Sequence, residues 1–168
     1  VKAQFEKQGS QANVGKSLLK QGDECIAAGS FKEARLKFLE AITKDSDNTE
    51  AWFKAGLMYF CTDDHKQDPG TFITKAYKQK ANNPALQAVA GFWLLTKNDR
   101  RKEGEEMLAK LEKDFFVGPL VRELRTRRNQ LTPKIVKDLI TEFHSYEEDA
   151  AIRTEKNDLQ FVAETLDA

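Results

Sequence analysis

The chain has 168 residues, enough for one domain or a short repeat array, and its 40% hydrophobic and 32% charged side chains suit thin, surface-rich helical architecture. Lys plus Arg and Asp plus Glu number 27 each, so net charge gives no global pull toward nucleic acid or a membrane surface. No apolar run approaches about 18 residues, which excludes a membrane-spanning helix. Residue 1 is Val and no signal peptide is visible, so the chain reads as a fragment or processed form of a longer protein. Charge is uneven along it. Residues 1–97 carry 14 basic and 11 acidic side chains, 98–137 carry 11 and 7, and 138–168 carry 2 and 9.

Residues 1–14 read as a linker or the end of a preceding element. VKAQFEKQ supports a turn or two of helix, but Gly9, Ser10 and Asn13 interrupt the pattern. Asn13 then caps a helix over 14–28, which Gly29 and Ser30 stop. A second helix runs from Phe31 to Lys44 with Ala34, Phe38, Ala41 and Ile42 inward. The next helix, TEAWFKAGLMYFC at 49–61, puts Trp52, Ala55, Gly56 and Tyr59 on one face. That face returns at 34-residue intervals. Leu18, Trp52 and Leu86 hold one place, Gln21, Ala55 and Val89 the next, then Gly22, Gly56 and Ala90, then Cys25, Tyr59 and Trp93. Such a period predicts stacked helical hairpins, here 15–48, 49–82 and 83–117.

The second helix of hairpin two starts late. TDDHKQDPG fills the turn, Asp68-Pro69 reads as cap and first helical residue, and Phe72, Ala76 and Tyr77 mark the inner face. Hairpin three opens at Asn83-Pro84, and Gly104, Leu108 and Leu111 continue it. Beyond Gly118-Pro119, a short helix carries Leu120, Val121 and Leu124 inward. Another opens at Thr132-Pro133 with Ile135, Val136, Leu139, Ile140 and Phe143 on one face. Ser145 to Glu148 has capping-box spacing and predicts a last helix through Ile152, Leu159, Val162 and Leu166. Residues 118–168 are expected to form a helical capping extension, acidic at its end, or else a moving or partner-binding tail.

Leu18, Gly22, Cys25, Phe31, Ala34, Phe38 and Ala41 carry a resemblance to the tetratricopeptide repeat family; Gln21 departs from it, where an aliphatic is usual. The resemblance covers about 15–117 and implies an all-α, right-handed solenoid that binds other proteins. It also implies a concave groove at Leu19, Asp23 and Ile26, at Phe53, Leu57 and Phe60, and at Gln87, Gly91 and Leu94. The Lys and Asn with which some members grip a chaperone's C-terminal carboxylate are replaced here by Leu19, Asp23, Phe53 and Leu57, so that partner is not expected. The middle helix is apolar nearly all round and must be covered on both sides. Either the C-terminal helices fold back over it or an apolar or amphipathic partner segment occupies it.

No catalytic constellation is apparent. His65 lies beside Asp63 and Asp64, but three adjacent loop residues do not converge on one ion unaided. Cys25 and Cys61 fall on helical faces and read as free buried thiols in a reducing compartment. The basic run Arg122, Arg125, Arg127, Arg128, Lys134 and Lys137 has no interleaved aromatics, which counts against stacking on single strands. It reads as a solvated face, as a match for the acidic 147–158 segment within or between copies, or as a weak nucleic-acid contact. The expectation is therefore a non-enzymatic, cytoplasmic interaction scaffold or adaptor within a larger regulatory or assembly protein. It needs no cofactor or metal and docks a peptide or helix at Leu19, Asp23, Ile26, Phe53, Leu57, Phe60 and Leu94.

Overall fold

A computed structural model describes residues 13–62, 68–127 and 130–166 with their side chains, Ala151 excepted, and the backbone alone for 2–12, 151 and 167. Among these residues all regular secondary structure is helical. The elements are α1 (Lys2–Ala27), α2 (Phe31–Lys44), α3 (Thr49–Phe60), α4 (Gly70–Gln79), α5 (Pro84–Leu95), α6 (Arg101–Leu111), α7 (Gly118–Thr126) and α8 (Pro133–Asp167).

Local chemistry sets most of these boundaries. Gly29 ends α1 at φ +81, a conformation that only glycine adopts without strain. The Asn48 side chain accepts from the Ala51 amide at 3.1 Å, and Asn83 accepts from Ala85 and Leu86 at 3.1 and 3.4 Å, so each caps the helix that follows. Asp68 accepts from the Gly70 amide at 3.0 Å ahead of α4. Thr132 accepts from Ile135 at 3.3 Å ahead of α8.

One predicted boundary is absent and one is displaced. α1 is continuous through Gly9, Ser10 and Asn13, where a linker and a cap were expected. One glycine costs about 1 kcal/mol in a helix interior, too little to break a run of Lys, Ala, Gln and Glu. The last helix does restart, but later than Ser145–Glu148: two helices meet within α8 at a kink at Asp149, with φ −131 and ψ 38.

The chain divides into two compact units, one through Gln79 and one from Lys80. In the first, α2 packs on α1, α3 on α2 and α4 on α3. Ala34, Phe38, Ala41, Ala55, Ile73 and Ala76 are its buried small and large partners. Gly22 lies against the Phe38 ring and Gly56 against the Ile73 side chain, so closely that a methyl group at either would collide. In the second unit, α5 packs on α6, α7 joins both, and α8 lies on α5 and α7.

The repeat register differs from the sequence reading between the second and third hairpins. Helices α3 and α5, each 12 residues long, start 35 residues apart at Thr49 and Pro84. Their capping residues, Asn48 and Asn83, keep that offset. So do the Trp52 indole N–H, which donates to the Ser46 carbonyl at 2.8 Å, and the Gln87 amide, which donates to the Ala81 carbonyl at 2.6 Å. The close-approach residue of α5 is accordingly Gly91, against Leu108 and Gly104, and not Ala90. Trp52 thus corresponds to Gln87 and not to Leu86. One added residue shifts side-chain direction by about 100°, enough to exchange groove and packing positions.

Candidate interaction surface

The positions expected to line an open groove are interior. Leu19, Ile26, Phe53, Leu57, Phe60 and Leu94 are each 6% exposed or less. Helix α3 is buried on nearly every side, with only Glu50 and Trp52 partly exposed. Being apolar all round, it is stable only when covered all round. Over α5 the cover includes α8, whose Phe143 carbonyl accepts from the Asn83 amide at 3.0 Å. Asp23 alone of the set is exposed, and it serves an internal contact. Its carboxylate meets the Lys54 ammonium at 2.7 Å, and Glu50 meets the same ammonium at 2.6 Å. Lys54 is fully buried, 5.9 Å from the centre of the Phe38 ring. The Glu50–Lys54 spacing of four residues was visible in the sequence; the partnership with Asp23 was not.

The basic run is not a continuous free patch. Arg125 pairs with Glu112 at 2.8 Å and Lys134 with Asp138 at 3.2 Å. Arg122 and Lys137 are exposed, and Arg127 is half-buried. Arg128 lies outside the described residues, as do Asp63, Asp64 and His65. In the acidic segment, Glu147 is engaged by Lys80 at 2.6 Å and by Asn83 at 3.0 Å. Burial alone would raise the Glu147 carboxyl, but the Lys80 and Asn83 hydrogen bonds and the charges of Lys80 and His144 outweigh it and hold the group below its ordinary value.

Both cysteines are free. Burial pushes the Cys61 thiol up to about 12, so it is protonated and poorly nucleophilic at neutral pH. It donates weakly to the Met58 carbonyl at 3.6 Å. Among the described residues, no group of three His, Cys, Asp or Glu is placed to hold a metal ion.

The surface that stands open is the part of α8 beyond Asp149. Its inner side docks through polar groups onto the turn between α6 and α7. Arg153, 3% exposed, pairs with Glu142 and lays its guanidinium 4.0 Å from the centre of the Phe116 ring. Lys156 sits 5.7 Å from the same ring. Asn157 accepts from the Phe115 amide at 2.8 Å and donates to Asp114 at 3.0 Å. Asp114 in turn accepts from the Phe116 and Val117 amides, both at 2.8 Å, and so fixes the turn.

Away from the docked side Ile152 is uncovered, and beyond Asn157 the helix is exposed nearly all round, with Phe161 69% exposed off the stripe. Ile152, Leu159, Val162 and Leu166 recur at spacings of seven, three and four, one stripe of a helix, and are 52%, 63%, 52% and 81% exposed. Glu155 and Asp158 are exposed within and beside the stripe, and so is Lys156, four residues after Ile152 and three before Leu159. The sequence indicated this periodicity. It gave no sign that Arg153 and Asn157 would take the docked side and leave the apolar residues in solvent.

Among the described residues, no helix is long and apolar enough to cross a membrane. No protein-family model, curated protein or solved structure matches this chain.

Proposed function

We propose that this chain is a non-catalytic protein-interaction module, built of tetratricopeptide-like hairpins, that engages its partner through the distal half of α8. The stripe formed by Ile152, Leu159, Val162 and Leu166 carries this reading. Scattered exposed apolar residues need no explanation, but four at helical spacing on one face form a contiguous patch. The helix bearing them is anchored through Arg153 and Asn157, and beyond Asn157 it is exposed. The helix A positions of the expected groove supply structure, and the partner segment docks elsewhere. An adaptor role within a larger assembly agrees with the free thiols Cys25 and Cys61, which suit a reducing compartment.

The test is affinity capture from lysate with the chain as bait, comparing it with a Leu159→Asp/Leu166→Asp variant. Both substituted side chains are exposed, so helix content by circular dichroism stays unchanged while specific captured proteins disappear. Capture that is the same for both baits removes the distal helix from the function.

A further inference from the structure

The pairing of Arg153 with Glu142 joins two residues of one helix that stand eleven positions apart. On a straight α-helix, side chains meet when they are three or four positions apart. Eleven positions of straight helix span about 16 Å along the axis, too far for an arginine and a glutamate to meet. The pair therefore exists only because α8 bends between them, at Asp149. Sharp bends in helices arise at proline, at Gly/Ser pairs, at a π-bulge or where a group intrudes into the backbone ladder. The sequence around this one, YEEDAAI at 146–152, has no proline, glycine or serine and is rich in good helix formers. The cause that remains is the contact set of Arg153. Little else holds the distal half: among the described residues from 150 to 166 only Arg153 is buried, whereas the proximal half buries Ile135, Val136, Leu139 and Phe143.

We infer that α8 is a two-position strap, bent when Arg153 is latched and straight when it is released. In the bent position Arg153 bridges Glu142 and the Phe116 ring, and Asn157 holds the turn at Asp114 and Phe115. In the straight position Asp149 takes helical dihedrals, the 35 residues of α8 run on as one rod of about 52 Å, and Phe116 loses its cover. The two positions exclude each other, because the Arg153–Glu142 pair cannot form along a straight helix. A charge-assisted pair and a cation–π contact favour the bend; the helix propensity of YEEDAAI and an unbroken backbone ladder favour the rod. Opposed terms of this size are what a switching element needs. The hinge separates a half fixed by apolar burial from a half fixed by a few polar contacts, so the distal half moves and the proximal half stays. This goes beyond the interaction-module reading and does not depend on it: the strap sets the direction in which the distal half is presented, whatever binds there.

The bend can be measured directly. Nitroxide labels are placed on Thr141→Cys and Leu159→Cys, both exposed positions, in the full chain carrying Cys25→Ser and Cys61→Ser, and their separation is read by double electron–electron resonance. A straight helix puts these two positions about 27 Å apart on the same face, and the bent form puts them closer. The parent chain should show a population at the shorter distance. Arg153→Ala and, independently, Glu142→Ala should shift that population to about 27 Å, and Arg153→Lys, which keeps the charge, should shift less of it. Helix content by circular dichroism should hold or rise. A short distance that survives both alanine variants makes the bend a local property of Asp149 and overturns the inference. So does a parent chain found wholly at about 27 Å. So does a loss of helix content with a broad spread of distances, which means that the released half unravels instead of straightening.

Discussion

The Arg153 guanidinium lies over the Phe116 ring, 4.0 Å from its centre, and pairs with Glu142. A desolvated cation–π contact of this kind contributes on the order of 2 kcal/mol, and the Glu142 pairing adds to it. Arg153→Ala is expected to loosen the distal half of α8. Amide hydrogen exchange at 152–166 should accelerate roughly thirtyfold, the equivalent of about 2 kcal/mol, while exchange in α5 changes little. Uniform acceleration throughout the second unit would mean that Arg153 supports the whole core and not one helix.

Phe53 and Leu57 are fully buried. Phe53→Ala should therefore destabilise the first unit by about 3–5 kcal/mol, read from urea denaturation. A variant with unchanged stability would return Phe53 to the surface and reopen the groove reading.

The glycine positions separate three kinds of constraint. A methyl at Gly104 would sit 2.6 Å from the Gly91 carbonyl oxygen and 3.0 Å from the Leu95 amide nitrogen, both backbone atoms that cannot step aside. Gly104→Ala should destabilise by about 1–3 kcal/mol despite the better helix propensity of alanine. At Gly56 the obstacle is the end of the Ile73 side chain, which can rotate, so Gly56→Ala should cost less. Gly29 has open space around it but a φ of +81, so Gly29→Ala should cost roughly 1 kcal/mol through backbone strain alone. Thermal denaturation of the three variants checks the order.

Glu147 links stability to acid. Its carboxyl is held below its ordinary value in the folded chain, so the folded state binds fewer protons there than the unfolded state. That contribution is present in full above the unfolded glutamate range and is lost as pH falls through the folded value. Glu147→Gln should flatten the acid limb of a stability–pH curve and leave its shape above pH ~6 unchanged. An acid limb of the same slope in both proteins would show that Lys80 and Asn83 do not favour the charged form.

Cys61 should resist alkylation at neutral pH, because its thiol is pushed up to about 12. Iodoacetamide labelling followed by mass spectrometry should modify it slowly in the native chain and rapidly in denaturant. Equal rates in both conditions would contradict a thiol held protonated in the folded chain.

The sequence by itself determined which segments are helices and where most of them start and stop. Those are local matters: Asn48 and Asn83 cap through their own nearest amides, Gly29 takes the one conformation other residues avoid, and apolar spacing marks the face each helix must bury. The Gly9-Ser10 stretch misled because helix interruption depends on the sum of many small propensities and not on one glycine. The offset of 35 residues between α3 and α5 follows from the Asn48 and Asn83 caps, and the single added residue, which carries no periodic signal, rotates a whole face. Tertiary structure alone decided two things. It buried Phe53, Leu57 and Leu94, because a helix that is apolar all round states only that it will be covered, not by what. And it docked Arg153 and Asn157 on the turn before α7, leaving Ile152 in solvent, because no spacing within α8 encodes where that turn will be.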